Sequence, residues 1–307
     1  MTKPTPDHRV ELGLLGLLAL LWGSSYLFTK VAVQEIPPLT LIATRVSGAA
    51  VFLLVVLRVR RERLPSDIRT WRMLLVQAFC NSIGAWTIVA WGQQFVDAGL
   101  ACVLNSTSPI FVFLFTAAIT RHEALGLRRL SGAVIGISGV VLIVGTDALK
   151  GLGTQVAGQL ACLIGAALYA VAAIYGKRFA QLGAAATAAG TMIAAAVVLV
   201  PAALLVDHPW TLAPSARALG ATAMLSIMCT GVALLLYFRL VQTLGSLGVA
   251  SQGYLRAGVG VLLGIVVLGE TLGLTVALGL GAAVLGVALI NWPAGSTRKA
   301  EPGRGAG

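Results

Sequence analysis

Two arginines stand in stretches where a charge is costly. Arg256 lies about nine residues into the apolar run 247–268, and Arg45 about seven residues past Pro38 in the run 39–57. At about 1.5 Å of rise per residue, these depths are roughly 14 Å and roughly 10 Å. Ionisable groups so placed in a membrane segment point to function. A guanidinium grips a carboxylate through two parallel hydrogen bonds, so the chemistry on offer is carboxylate recognition. The plainer alternative is an arginine satisfied by carbonyls of a neighbouring helix, and Arg45 could also reach outward to water.

Polar and aromatic side chains in the same runs complete a candidate substrate cavity. Asn81, Asn105 and Gln252 each need hydrogen-bond partners in hydrocarbon. Those partners are either a substrate or another helix. Trp22, Tyr26, Trp86, Tyr169 and Tyr254 lie within apolar runs, whereas Trp71, Trp210 and Trp292 fall at their edges as interface residues do. Aromatic walls with few polar groups suit a small amphipathic molecule. Pro109 and Pro201 fall inside runs and are candidate kinks or hinges. Lys30 and Lys177 fall at segment ends, where anchoring outweighs binding.

What is missing narrows the chemistry further. All eleven Asp and Glu residues fall in tails, connections or segment ends. A proton-driven exporter of organic cations needs a carboxylate at mid-membrane. A facilitator, or a carrier with a coupling the sequence does not reveal, is therefore expected, with neutral or zwitterionic substrates preferred. His8, His122 and His208 all lie outside the apolar cores, and no metal-ligand cluster, phosphate-binding loop or nucleophile–base pair is visible. No catalytic residue, cofactor, metal or ATPase subunit is expected, which disfavours a membrane-embedded enzyme. Cys80, Cys102, Cys162 and Cys229 sit inside apolar runs without metal spacing and read as small packing residues.

The elements that position these residues are membrane helices. Of 307 residues 58% are hydrophobic and 11% charged, with mean hydropathy +0.91. A soluble domain carries about 25% charged residues, so the solvent for this chain is lipid. Ten runs are long enough to span: 12–33, 39–57, 71–93, 99–119, 126–146, 156–176, 185–206, 217–238, 247–268 and 272–292. The first lacks a convincing cleavage site and reads as a permanent helix.

Net charge +11 would suggest nucleic acid in a soluble protein. Here 17 of the 22 basic residues fall in the tails and alternate connections on one side, including the run from Arg58 to Arg63. The positive-inside rule then puts both termini in the cytoplasm.

The chain also matches itself at an offset of 147. Lys30 falls on Lys177, Gly84 on Gly231, Glu123 on Glu270, Gly132 on Gly279 and Gly139 on Gly286. Trp22 falls on Tyr169, Asn105 on Gln252, and Pro109 on Arg256. Equivalent connections carry opposite charge bias: five arginines lie in 58–70, but only Arg217 with Asp207 and His208 in 205–217. Five spans per repeat and reversed charge require inverted insertion, with a binding site between the halves. The organisation is a tail at 1–11, a first five-helix repeat at 12–146, a linker at 147–155, a second, inverted repeat at 156–292, and a tail at 293–307. Gly132/Gly136 and Gly260/Gly264 mark close helix packing.

Trp22-Gly23-Ser24-Ser25-Tyr26 resembles the opening of EamA-type transporters of the drug/metabolite transporter superfamily. Gly269-Glu270-Thr271-Leu272, before a glycine-rich last segment, resembles the end of that repeat, and His122-Glu123-Ala124-Leu125 is a looser copy. The likeness covers 12–292 and is greatest to YddG-type exporters of aromatic amino acids. It implies ten spans, cytoplasmic termini, a bacterial inner-membrane location and a central cavity. The family usually has proline at the position of Pro109, and proline is also common where this chain has Arg256. The reading is an all-α polytopic membrane carrier exporting small amphipathic metabolites by alternating access, aromatic and other neutral amino acids first. Another metabolite or drug class is the alternative.

Overall fold

The computed structural model describes residues 8–119, 127–148, 153–179, 181–250, 252–271 and 273–291. Among them every regular element is helical. The first half comprises α1 (His8–Ala32), α2 (Pro38–Arg60), α3 (Ile68–Ala78), α4 (Gly84–Gly92), α5 (Ala98–Asn105), α6 (Ser108–Ile119) and α7 (Leu127–Ala148). The second comprises α8 (Thr154–Gly176), α9 (Ala184–Val206), α10 (Ala216–Ser226), α11 (Ala233–Ala250), α12 (Gln252–Leu268) and α13 (Leu274–Asn291). A π-helical turn, Phe79–Ile83, joins α3 to α4 in one continuous rod, and another, Ile227–Val232, joins α10 to α11. Seven helical segments are long and apolar enough to cross a bilayer, and three shorter apolar ones, Leu130–Val144, Leu255–Leu268 and Leu274–Ile290, complete ten.

The outward surface explains why these helices belong in lipid. Val51, Val55 and Val59 of α2, Val197 and Leu205 of α9, and Val266 of α12 are all more than half exposed. Apolar surface on that scale would be a liability in water and is ordinary against acyl chains. The opposite face of each helix packs inward on small residues. Ala43, Ala49 and Ala50 of α2 share one core cluster with Ala185, Ala188, Ala189 and Ala195 of α9.

Helix pairing follows the repeat. α2 packs on α9 and α7 on α13, and each of these pairs joins a helix to its own counterpart. α1 packs on α12 as α8 packs on α5 and α6. The α7–α13 crossing fixes the direction. A Cβ on Gly132 would stand 2.7 Å from the carbonyl oxygen of Gly286, and one on Gly279 would stand 2.8 Å from that of Gly139. Gly132 meets the counterpart of Gly139, and Gly139 meets the counterpart of Gly132. Equivalent helices therefore cross antiparallel about a two-fold axis, which is the geometry of inverted repeats. Only glycine lets the backbones approach so closely.

The halves part company at the fourth segment. Pro109 cannot donate to the carbonyl of Asn105, and its ring crowds that turn. The chain breaks at Ser106 and Thr107, whose hydroxyls donate back to Cys102 O at 2.7 Å and Leu104 O at 2.6 Å. Pro109 thus opens the first turn of α6. At the equivalent place α12 runs unbroken from Gln252 to Leu268 and carries Arg256. α9 likewise runs unbroken through Pro201.

Candidate functional site

Arg45, on α2, is buried, with 7% of its surface exposed. Its Nε donates to Thr230 Oγ1 at 2.9 Å, and Thr230 in turn donates to Leu225 O at 2.8 Å. Thr230 lies in the second π-helical turn. The backbone carbonyl of Arg45 accepts from Ser226 Oγ at 2.8 Å, at the end of α10 just before this turn. On the other side, the guanidinium carbon sits 3.9 Å above the ring of Trp86. Trp86 follows the first π-helical turn, and its indole N–H donates to the hydroxyl of Tyr169. A π turn inserts one residue and rotates everything after it, and such turns recur at functional sites. Here the two turns present Thr230 and Trp86 to one guanidinium.

Arg256 approaches from α12. Its Nη2 donates to Ser106 Oγ at 3.2 Å, in the break between α5 and α6. Its backbone carbonyl lies 3.5 Å from Cys102 Sγ. Its Nε is buried without a hydrogen-bond partner. Tyr26 of α1 and Tyr169 of α8 each lie within electrostatic reach of both arginines. Arg45, Arg256, Tyr26, Trp86 and Tyr169 therefore form one constellation drawn from five segments and both halves. No carboxylate among the described residues pairs with either guanidinium. The site offers two cations, three aromatic rings and phenol hydroxyls.

The other sequence-selected residues divide. Asn105 ends α5 beside Ser106, is 1% exposed, and neither of its amide atoms has a partner. Gln252 lies one turn before Arg256 on α12, with its Oε1 unpartnered. Trp22 packs on Tyr237 of α11, ring centroids 5.4 Å apart. Asn81 donates to Ser82 Oγ at 3.1 Å within the first π-helical turn. The side chain of Tyr254 lies outside the described residues. Ser106 and Thr230 are contributors that sequence reasoning passed over. The polar run Ser106–Pro109 inside an apolar segment was a readable signal for the break. Nothing in the sequence marks Thr230.

Comparison with known proteins fits this architecture. The model of the EamA-like transporter family matches residues 11–145 and again 156–292. The chain belongs to the EamA-like transporter family. Among curated relatives, an uncharacterized inner membrane transporter, YedA of Escherichia coli (strain K12), is 29% identical over 91% of this chain and 89% of its own. The uncharacterized transporter YvbV of Bacillus subtilis (strain 168) is 27% identical over 94% of this chain and 93% of its own. A "probable amino-acid metabolite efflux pump" of Escherichia coli (strain K12) is 25% identical over 70% of this chain and 71% of its own. A crystal structure with TM-score 0.66 and 20% identity covers 92% of this chain and 98% of that one, and shares its fold. This is a multi-pass membrane transporter and not an enzyme.

The acids of this EamA-like transporter hold helix ends, and three do so across the repeat at the face opposite the termini. Glu270 accepts from the backbone N–H of Ala98 at 2.6 Å and of Gly99 at 3.0 Å, capping α5. Asp207 accepts from the backbone and hydroxyl of Thr40, both at 2.8 Å, capping α2. Glu35 accepts from Ser215 N at 2.6 Å and Ser215 Oγ at 2.7 Å, just ahead of α10. These bonds hold the Glu35 carboxyl below the usual glutamate range, the Ser215 backbone N–H foremost. Carboxylates at helix N-termini satisfy orphan N–H groups and meet the positive end of the dipole. Within the first repeat, Lys30 donates to Gln93 O at 2.8 Å and Val96 O at 2.7 Å at the same face. Its counterpart Lys177 is exposed. At the terminal face Glu11, 2% exposed, pairs with Arg239 at 2.8 Å and accepts from Thr243 Oγ1 at 2.8 Å. Among the described residues no group of three or more His, Cys, Asp or Glu could hold a metal ion.

Proposed function

We propose that this chain is a secondary carrier that exports small amphipathic metabolites across the bacterial inner membrane, aromatic and other neutral amino acids first. The carrying observation is that Arg45 stacks on Trp86, which donates to Tyr169, while Arg256 reaches across the repeat to Ser106 with its Nε unpartnered, and no carboxylate among the described residues pairs with either guanidinium. The guanidiniums hold the substrate carboxylate and the rings hold its apolar body. The amino-acid wording of the efflux-pump relative supports this.

Both termini face the cytoplasm, as the basic residues require. The latched face bearing Glu270, Asp207 and Lys30 is then periplasmic, and transport proceeds by releasing it while the cytoplasmic side closes. Pro109, at the break before α6, and Pro201, in α9, are the hinges of this motion. Without a mid-membrane acid the carrier moves substrate down its gradient and exchanges no proton. Uptake of labelled phenylalanine and tryptophan into proteoliposomes tests the reading. Accumulation that a pH gradient leaves unchanged is expected. Proton counterflow, or no amino-acid flux, would overturn it.

A further inference from the structure

An amide in hydrocarbon that bonds to nothing is held in reserve or is a defect, and the surroundings of Asn105 say which. Asn105 is 1% exposed, yet neither its Oδ1 nor its Nδ2 has a partner. It ends α5 because Pro109 has broken the helix, and its neighbour Ser106 already engages Arg256. Its Nδ2 faces Gly165 of α8, one turn before Tyr169. The Nε of Arg256 and the Oε1 of Gln252 are likewise buried and unpartnered. Orphaned acceptor and donor atoms thus lie on Asn105 at the break and on Arg256, which reaches Ser106 in it, with Gln252 one turn before Arg256 on α12. Burying them unmade is costly, and a ligand carrying both a cation and an anion removes that cost.

We infer that Asn105 is the amine-recognition residue of the carrier. Its Oδ1 accepts from the substrate ammonium while Arg256 takes the carboxylate on Nε and Nη2, and Gln252 Oε1 is the second acceptor. The substrate class is then α-amino acids, which carry the two charges on one carbon. The electrostatics favour this arrangement over a charged acceptor. Two guanidiniums repel an ammonium that arrives alone, and an amide carbonyl is too weak to overcome them without the carboxylate. Amines lacking a carboxylate are excluded, and carboxylates lacking an amine leave Asn105 unmet. This assignment rests on the amino-acid reading above.

The test uses the full chain in proteoliposomes with three labelled probes of one ring: phenylalanine, 3-phenylpropionate and phenethylamine. The wild type should favour phenylalanine over 3-phenylpropionate about tenfold or more, the worth of one charge-assisted hydrogen bond, and refuse phenethylamine. Asn105→Leu should erase that preference by lowering phenylalanine flux while 3-phenylpropionate flux persists, and that persistence shows the variant folds. Asn105→Asp supplies a charged acceptor and should admit phenethylamine. If the wild type moves phenylalanine but Asn105→Leu and Gln252→Leu keep its preference, or Asn105→Asp still refuses the amine, Asn105 does not read the ammonium. A wild type that moves none of the three overturns the amino-acid reading and this site together.

Discussion

Arg256 donates from Nη2 to the hydroxyl of Ser106 over 3.2 Å, so a cation of one repeat is held by the helix break of the other. The break exists because Pro109 removes a donor, and Arg256 stands at the position equivalent to Pro109. One half thus carries the discontinuity and the other the charge that uses it. The departure from two-fold symmetry is therefore where the proposed site lies.

Replacing Arg256 tests that division directly. Arg256→Gln keeps a donor but loses the charge and the fork. Charged hydrogen bonds contribute about 1.5–3 kcal/mol each, so affinity for a carboxylate substrate should fall ~10- to 100-fold. Arg256→Lys should not restore the wild type, since a lysine cannot offer the planar fork. Competition against labelled phenylalanine reads both effects.

Trp86 should matter through Arg45. With the guanidinium carbon 3.9 Å from the ring centroid, Trp86→Leu removes a stacking contribution of about 1–2 kcal/mol and releases Tyr169. Trp86→Phe keeps the ring face and should retain most of the stacking. A detergent melting series should rank the wild type above Trp86→Phe, and Trp86→Phe above Trp86→Leu.

The latched face makes a prediction about access. Glu270→Ala strands the N–H groups of Ala98 and Gly99, at a cost of about 1–2 kcal/mol. Cys102, buried on α5, should then react faster with a membrane-impermeant maleimide when the other three cysteines are replaced by alanine. An unchanged labelling rate would show that the cap does not hold this face shut.

The α7–α13 crossing offers a stability test with an internal control. A Cβ on Gly286 would collide with the backbone of Gly132 and Gly136, whereas one on Gly281 of the same helix meets nothing within 4 Å. Gly286→Ala should destabilise the fold by about 1–3 kcal/mol. Gly281→Ala should be neutral or stabilise by a few tenths up to about 1 kcal/mol through helix propensity. Thermal melts of the two variants compare them.

Protonation of Glu35 should weaken its tie to Ser215 only in acid. Its folded carboxyl is held below the usual range, so its contribution is fully present above the ordinary glutamate value, about pH 4.3, and fades as pH falls below that. Between pH 5 and 8 the melting temperatures of the wild type and Glu35→Gln should differ by a constant amount, and the gap should narrow only in stronger acid.

Much of this was legible in the sequence, because lipid simplifies the code. Apolar runs marked the ten segments, and the shared offset marked Gly132 and Gly279, and Gly139 and Gly286, as equivalent positions, but that these glycines cross one another emerges only from the structure. Arg45, Arg256, Tyr26, Trp86 and Tyr169 stood out as costly or bulky residues at depth, and the structure brings them together. The rest depended on rotation about helix axes, which residue types do not reveal. The π turns at Phe79–Ile83 and Ile227–Val232 reorient Trp86 and Thr230 without any proline or glycine rule announcing them. The packing of Trp22 on Tyr237 of α11 is likewise a tertiary contact that residue types do not reveal. The acids were noticed for their absence from mid-membrane, but their role in capping helices of the opposite half depends on tertiary proximity alone.

The central claim is that Arg256 holds the carboxylate of a small aromatic amino acid. Initial uptake of labelled phenylalanine into proteoliposomes, wild type beside Arg256→Ala and without a pH gradient, tests it most directly. The account predicts robust saturable uptake in the wild type and a loss of ~10-fold or more in the variant at subsaturating substrate. Equal uptake by the two proteins, both confirmed folded by their melting curves, would contradict it.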